Sequence, residues 1–170
     1  MESMRPSEVW VSIVGAFAAT LLASFFSLTL LEVDETPLIL ASTGASAMLL
    51  FALPHAAVSQ PWNLVGGHLV SALVGVSCAK LIPFELLAAA STIPVAMIAM
   101  HYLRCMHPPG GATAITAVVG GISVQDMGYA FVVMPVFFNA IIILSIAMAA
   151  GTLRESNPFE VHGGSAQEDS

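Results

Sequence analysis

The sequence predicts an all-α membrane protein made of two repeats of three elements each, with the middle element of each repeat broken. Three observations lead there. Of 170 residues, 57% are hydrophobic and 9% charged, with a mean hydropathy of +0.88, against about 25% charged residues in an ordinary soluble domain. Residues 9–31, 37–79, 86–103, 105–125 and 127–153 contain no Asp, Glu, Lys or Arg. The tetrapeptide Gly44-Ala45-Ser46-Ala47 returns 67 residues later as Gly111-Ala112-Thr113-Ala114, each copy inside apolar sequence. These features divide the chain into an N-terminal tail (1–8), a membrane domain (9–153, repeats about 9–82 and 84–153) and an acidic C-terminal tail (154–170) expected to be disordered.

Residues 9–31 exceed the ~20 residues that a helix needs to cross a ~30 Å hydrocarbon core. They are longer than a signal-peptide core and end in Glu32, Asp34 and Glu35, so no cleavable leader is expected. Pro37 closes the acidic turn. Residues 38–43 are expected to run extended into a half-helix at 44–53, stopped by Pro54, with ~15 Å of rise. A loop (55–61) leads to Trp62, an interfacial anchor, and to a helix over 63–81. After the turn 80–85 the plan repeats: a helix at 86–102, a break at 104–110, a half-helix at 111–120, a polar turn at 123–126 and a long helix at 127–150. Arg5, Lys80, Arg104 and Arg154 divide three to one whether the chain makes six or four passages. Six is favoured, because 37–53 is long enough to cross if its first part is extended. Three passages per half would make the repeats inverted in topology, with both termini in the cytoplasm.

The net charge of −7 comes from 11 acids and four bases confined to tails and loops, which speaks against a nucleic-acid partner. Cys78 and Cys105 lie in or beside apolar spans as small hydrophobes, with no disulfide framework or metal spacing, and no cofactor is expected. A chain of 17.7 kDa has little mass with which to enclose a dry cavity, so a homo-oligomer is expected, sealed by helix faces rich in small residues.

The breaks carry the chemistry. Non-helical backbone at membrane depth persists only where protein buries it or a cavity solvates it. The first N–H groups of a following half-helix lack intrahelical partners and amount to roughly +0.5 of a charge. Two such ends, near Gly44 and Gly111, would hold a small anion at the midplane without a Lys or Arg. Ser42, Thr43, Ser46 and Thr113 would add hydroxyl donors, while Gly44, Ala45, Gly110, Gly111 and Ala112 would let a ligand approach the main chain. Pro108-Pro109 keeps the chain extended up to the helix start. The plainer explanation is that small residues at short spacing serve helix packing; the repeat placed after each break favours a site.

His107-Pro108-Pro109-Gly110-Gly111-Ala112-Thr113-Ala114 resembles the signature of the HPP family of integral membrane proteins. Thr43-Gly44-Ala45-Ser46-Ala47-Met48-Leu49-Leu50-Phe51 and Gln60-Pro61-Trp62-Asn63-Leu64-Val65-Gly66-Gly67-His68-Leu69-Val70-Ser71-Ala72 are similar to its two other motifs, so the resemblance spans about residues 9–153. Family members of cyanobacteria and plastids are associated with nitrite transport, which implies a small-anion permease of the cell membrane. One departure is Trp62, where many members carry Arg.

An imidazole with a pKa near about 6.5 could bind an anion together with a proton, which makes His107 a ligand candidate as well as a helix cap. His68, polar and intramembrane, is a candidate by position. Nitrite, or another small inorganic anion, and a coupled proton are therefore the expected partners besides the bilayer. Changes at Gly44, Gly111 or His107 are expected to abolish uptake. The alternatives are a non-transporting sensor or scaffold, and an intramembrane metal or enzyme site built from His55, His68, His101 and His107. The last has no His-x-x-x-His pair and no carboxylate within a span to support it, so an enzyme is not expected.

Overall fold

The computed structural model of the protein describes residues 6–30 and 37–155, with backbone alone at 37 and 153–155. The acidic turn and the far C-terminal tail lie outside the described residues. Every regular element among them is helical: α1 (Pro6–Leu28), α2 (Pro37–Ala52), a 3-10 turn (Ala57–Ser59), α3 (Pro61–Leu81), α4 (Glu85–Tyr102), α5 (Gly110–Val119), α6 (Ile122–Met127) and α7 (Phe138–Glu155), with a kinked segment (Val132–Phe137) leading into α7. Four helical stretches are long and apolar enough to cross a membrane: Pro6–Leu28, Pro61–Leu81, Glu85–Tyr102 and Val132–Thr152. Two shorter apolar helices, Leu38–Ala52 and Gly110–Val119, lie between them.

The helices are apolar outward and small inward. Along α1 the buried positions are Ser12, Gly15, Ala19, Ala23 and Ser27, spaced three or four apart, whereas Trp10, Phe17 and Phe25 are about two-thirds exposed. α4 buries Ala88, Thr92, Ala96 and Met100 and turns Leu86, Leu87 and Ile98 outward. Leaving each such large side chain in water would forfeit ~1.5–3 kcal/mol of burial. Lipid removes that penalty, and the small inner stripe lets backbones approach. Successive elements alternate in direction. The start of α1 meets the end of α2 at Gly15 and Phe51, the end of α1 meets the start of α7 at Ser27 and Asn139, and the start of α3 meets the end of α4 through Trp62 Nε1, which donates to Leu103 O at 3.2 Å. The segment 105–119 runs alongside α3, pairing Gly67 with His107 and Gly75 with Ala114 and Ala117.

Two expectations need correction. The first repeat has no break: α2 starts at Pro37 and continues unbroken through Gly44 to Ala52. Ser, Thr and Gly are weak helix formers in water, but an extended 38–43 would leave amides unpaired in an apolar setting, a cost of several kcal/mol each. The second break is present, although the final helix is not continuous from 127. Gly128, at φ 51°, turns the chain after α6, and Met134, extended at φ −123° and ψ 116°, kinks it again before Pro135, which has no N–H to donate to a helix continuing through it.

The turn into the second break is specific. α4 ends with Arg104 in the left-handed region, at φ 54°. Arg104 N–H donates to His101 O at 3.2 Å and Cys105 N–H to Met100 O at 3.0 Å, the paired bonds of a Schellman cap. A non-glycine residue in this conformation costs roughly 1–2 kcal/mol. Replacing exposed Arg104 by Gly is therefore expected to raise the unfolding midpoint in micelles, a gain of about 1 kcal/mol. A lower midpoint would show that the Arg side chain holds the turn by contacts of its own.

Candidate functional site

Five buried side chains from α2, α3, α5 and the break form one hydrogen-bonded chain. Ser42 and Ser46 share a face of α2 because they are four residues apart. His68 comes from α3, Thr113 from the first turn of α5, and His107 from the break. His107 Nδ1 donates to Val58 O at 2.7 Å, and its Nε2 lies 3.0 Å from Ser46 Oγ. Ser46 Oγ is 2.8 Å from His68 Nε2, His68 Nδ1 is 2.8 Å from Thr113 Oγ1, and Thr113 Oγ1 is 2.7 Å from Ser42 Oγ. Ser42 Oγ also reaches Pro109 O at 3.1 Å, and Ser46 Oγ reaches Ser42 O at 3.1 Å. The two imidazole centroids are 4.9 Å apart. His107 and Ser46 are fully buried and His68 is 5% exposed. Since no Asp, Glu, Lys or Arg takes part, the chain consists of neutral groups or carries a proton of its own.

Glycine sets the spacing of this assembly. A Cβ on Gly67 would lie 2.5 Å from His107 Cβ and 2.9 Å from Cys105 O, and one on Gly110 would lie 2.6 Å from Ser71 Oγ. Without side chains there, α3 lies directly on the break and presses His107 toward His68. Two further bonds fix the break: Asn63 Nδ2 donates to Met106 O at 2.9 Å, and Trp62 to Leu103 O as above.

Of the residues expected to form the site, Ser42, Ser46, His68, His107 and Thr113 meet in the chain, and Gly110 supports it. Thr43 lines a cavity of about 10 Å³ beside the chain, together with Ser42, His68, Thr113 and Asn139. The others are elsewhere. Gly44 faces a surface groove between α1 and α2, with no atom within 4 Å of a built Cβ. Ala45 is exposed, Gly111 faces Ile93 of α4, and Ala112 is half-buried. The expected free amides at the start of α5 are also engaged: Gly110, Gly111 and Ala112 N–H donate to His107, Pro108 and Pro109 carbonyls at 2.9, 3.0 and 3.1 Å. Paired backbone dipoles therefore do not make this site, because one copy is helix interior and the other closes on its own turn. Arg104, His55 and His101 are exposed and stand outside the chain. Among the described residues no three His, Cys, Asp or Glu side chains are grouped to hold a metal.

Two participants in the chain were not among the sequence candidates. Val58 O and Pro109 O are backbone groups, which side-chain patterns cannot reveal. Asn139 donates to Ser27 Oγ at 2.7 Å, between α7 and α1, but its Oδ1 is buried without a partner and the residue lines the small cavity.

The fold and the buried polar chain define an integral membrane protein with a polar site inside its helix bundle. The family model described as "HPP, transmembrane region" matches residues 1–159, and the chain belongs to that family. It is also similar to two transmembrane proteins of Dictyostelium discoideum. One is 29% identical over 158 residues, covering 91% of this chain and 50% of the relative. The other is 30% identical over 133 residues, covering 75% of this chain and 46% of the relative. The chain thus spans about half the length of these curated relatives. No solved structure matches it.

Proposed function

We propose that this protein carries a small inorganic anion across the membrane, with nitrite as the first solute to test, and that the anion travels with a proton. The observation that carries the proposal is the unbroken Ser42–Thr113–His68–Ser46–His107 chain, buried where α2, α3, α5 and the break meet. Intramembrane ionisable groups are costly to keep and cluster along solute and proton pathways. The five hydrogen-bonded side chains include no Lys or Arg, and the α5 amides are already bonded, so a bare anion would find no countercharge there. Protonating an imidazole supplies one.

The alternating element directions support six passages, with α2 and the segment 105–119 as the two unconventional crossings and both termini on one side, taken as the cytoplasm. The cavity beside the chain admits about one water-sized probe, which favours a carrier that must rearrange over an open channel. Association of copies through small-residue faces would complete the enclosure.

The test is nitrite uptake into proteoliposomes, corrected for protein-free vesicles. His68→Gln and His107→Gln are each expected to cut the protein-dependent rate at least tenfold while the protein still reconstitutes. Rates equal to the unmodified protein would discard this site. No protein-dependent uptake of nitrite, nitrate, formate or bicarbonate would discard transport itself.

A further inference from the structure

We infer that the buried chain is a relay for one proton and that a single water, bound in the cavity beside Asn139, forms its outer end. This deepens the transport proposal and rests on it for the identity of the accompanying solute.

The argument is a count of donors. From Val58 O to Pro109 O the chain has six links: to His107 at 2.7 Å, Ser46 at 3.0 Å, His68 at 2.8 Å, Thr113 at 2.8 Å, Ser42 at 2.7 Å and Pro109 O at 3.1 Å. Both ends are carbonyls, which only accept. The five neutral side chains between them bring one proton each, so one link must lack a proton. The natural vacancy is the link from Ser42 to Pro109 O, because that carbonyl already accepts from Ala112 N–H at 3.1 Å and needs no second donor. Every other direction then follows. Val58 O requires Nδ1–H on His107, so His107 Nε2 must accept; Ser46 Oγ also lies 3.1 Å from Ser42 O, but that carbonyl is already an acceptor within the α2 ladder, so the one Ser46 proton goes to His107 Nε2. The single Ser46 proton is thereby used, so His68 must donate from Nε2–H, and His68 Nδ1 accepts from Thr113. Thr113 accepts in turn from Ser42. One additional proton fills all six links. A second would make both imidazoles cationic at 4.9 Å with no carboxylate between them.

The neighbouring elements do not alter this count. α2 and α5 contribute no titratable group, and α4 has Glu85, His101 and Tyr102 exposed at its ends. The break adds exposed Arg104 and buried Cys105.

In the neutral chain Ser42 Oγ accepts from no partner among these links, and it borders the cavity that Asn139 also lines. Asn139 Oδ1 is buried and unpartnered. A water there would donate one hydrogen to Asn139 Oδ1 and the other to Ser42 Oγ, satisfying both, and the volume of about 10 Å³ is close to the minimum for one water. When a hydronium or an incoming acid replaces that water, its proton passes to Ser42 as the Ser42 proton moves to Thr113 and the Thr113 proton to His68 Nδ1. His68 becomes the cation, and the same shift through Ser46 moves the charge to His107. Each hop breaks one O–H or N–H bond and forms the next, with no electron transferred.

Nitrogen-15 spectra of histidine-labelled protein in nanodiscs test this directly. At neutral pH His107 is expected as the Nδ1–H tautomer and His68 as the Nε2–H tautomer, and acidification should add one proton to the pair, not two. Water-edited spectra should place a long-lived water next to Asn139. His107 in the Nε2–H form, two independent protonations or a dry Asn139 would each overturn the inference. If these signatures hold while nitrite uptake fails, the relay stands and the transport proposal falls. Uptake without the signatures would overturn the relay alone.

Discussion

Replacing Ser46 by alanine is expected to lower stability by about 3 kcal/mol and to abolish protein-dependent uptake. Ser46 is the hub of the chain, placing one hydroxyl within hydrogen-bond distance of both imidazoles. Alanine is nearly the same size, so the loss isolates the bonds from packing. Removing the hydroxyl strands two buried ring nitrogens, each costing ~1–3 kcal/mol when left unpaired. Threonine at the same position keeps the hydroxyl and should recover much of the loss. The measurement is equilibrium unfolding in micelles beside an uptake assay. A Ser46→Ala protein within ~0.5 kcal/mol of the parent would mean that the chain contributes nothing and that the cluster is incidental packing.

Gly67→Ala is expected to be nearly as damaging, for a steric reason. The added methyl would meet His107 Cβ at 2.5 Å and Cys105 O at 2.9 Å, so α3 and the break must separate. Overpacking of this kind costs ~1–3 kcal/mol, and here it also lengthens the links that His107 makes. Gly44→Ala is the informative contrast. It adds a methyl with no atom within 4 Å at a helix-interior position, where alanine is favoured over glycine by roughly 0.5–1 kcal/mol. Stability should rise slightly and uptake should persist. Equal damage from the two substitutions would mean that the α3–break contact is not what fixes His107.

Hydropathy and the Pro108-Pro109 pair were sufficient for the membrane character, the helices α1, α3 and α4 and the second break, because the charge-free stretches and the prolines act locally. The continuity of α2 was not legible. Ser42-Thr43-Gly44 reads as a breaker by propensities that hold in water, whereas in lipid the cost of unpaired amides overrides them. Similar tetrapeptides therefore have different roles: Gly111 begins a helix and Gly44 lies inside one. The site was legible in its residues but not in its physics. Ser42, Ser46, His68, His107 and Thr113 stand out as polar groups in apolar sequence. That they bond to one another, and that backbone amides at Gly110–Ala112 are used within their own turn, depends on how α3 lies across the break. Asn139 lies 26 residues beyond Thr113, and only the folded packing brings it to the same cavity.

The depth of the chain has a consequence for ionic strength. Mobile ions screen charges within a Debye length of ~8–10 Å near physiological salt, but they do not enter the cavity beside the hydrogen-bonded chain, which admits about one water-sized probe. Protonation of the His68–His107 pair should therefore stay constant from dilute buffer to molar potassium chloride. Attraction exerted at the rim by Lys80 or Arg104, both exposed, should fade over the same range. A salt series thus separates what the interior does from what the surface does.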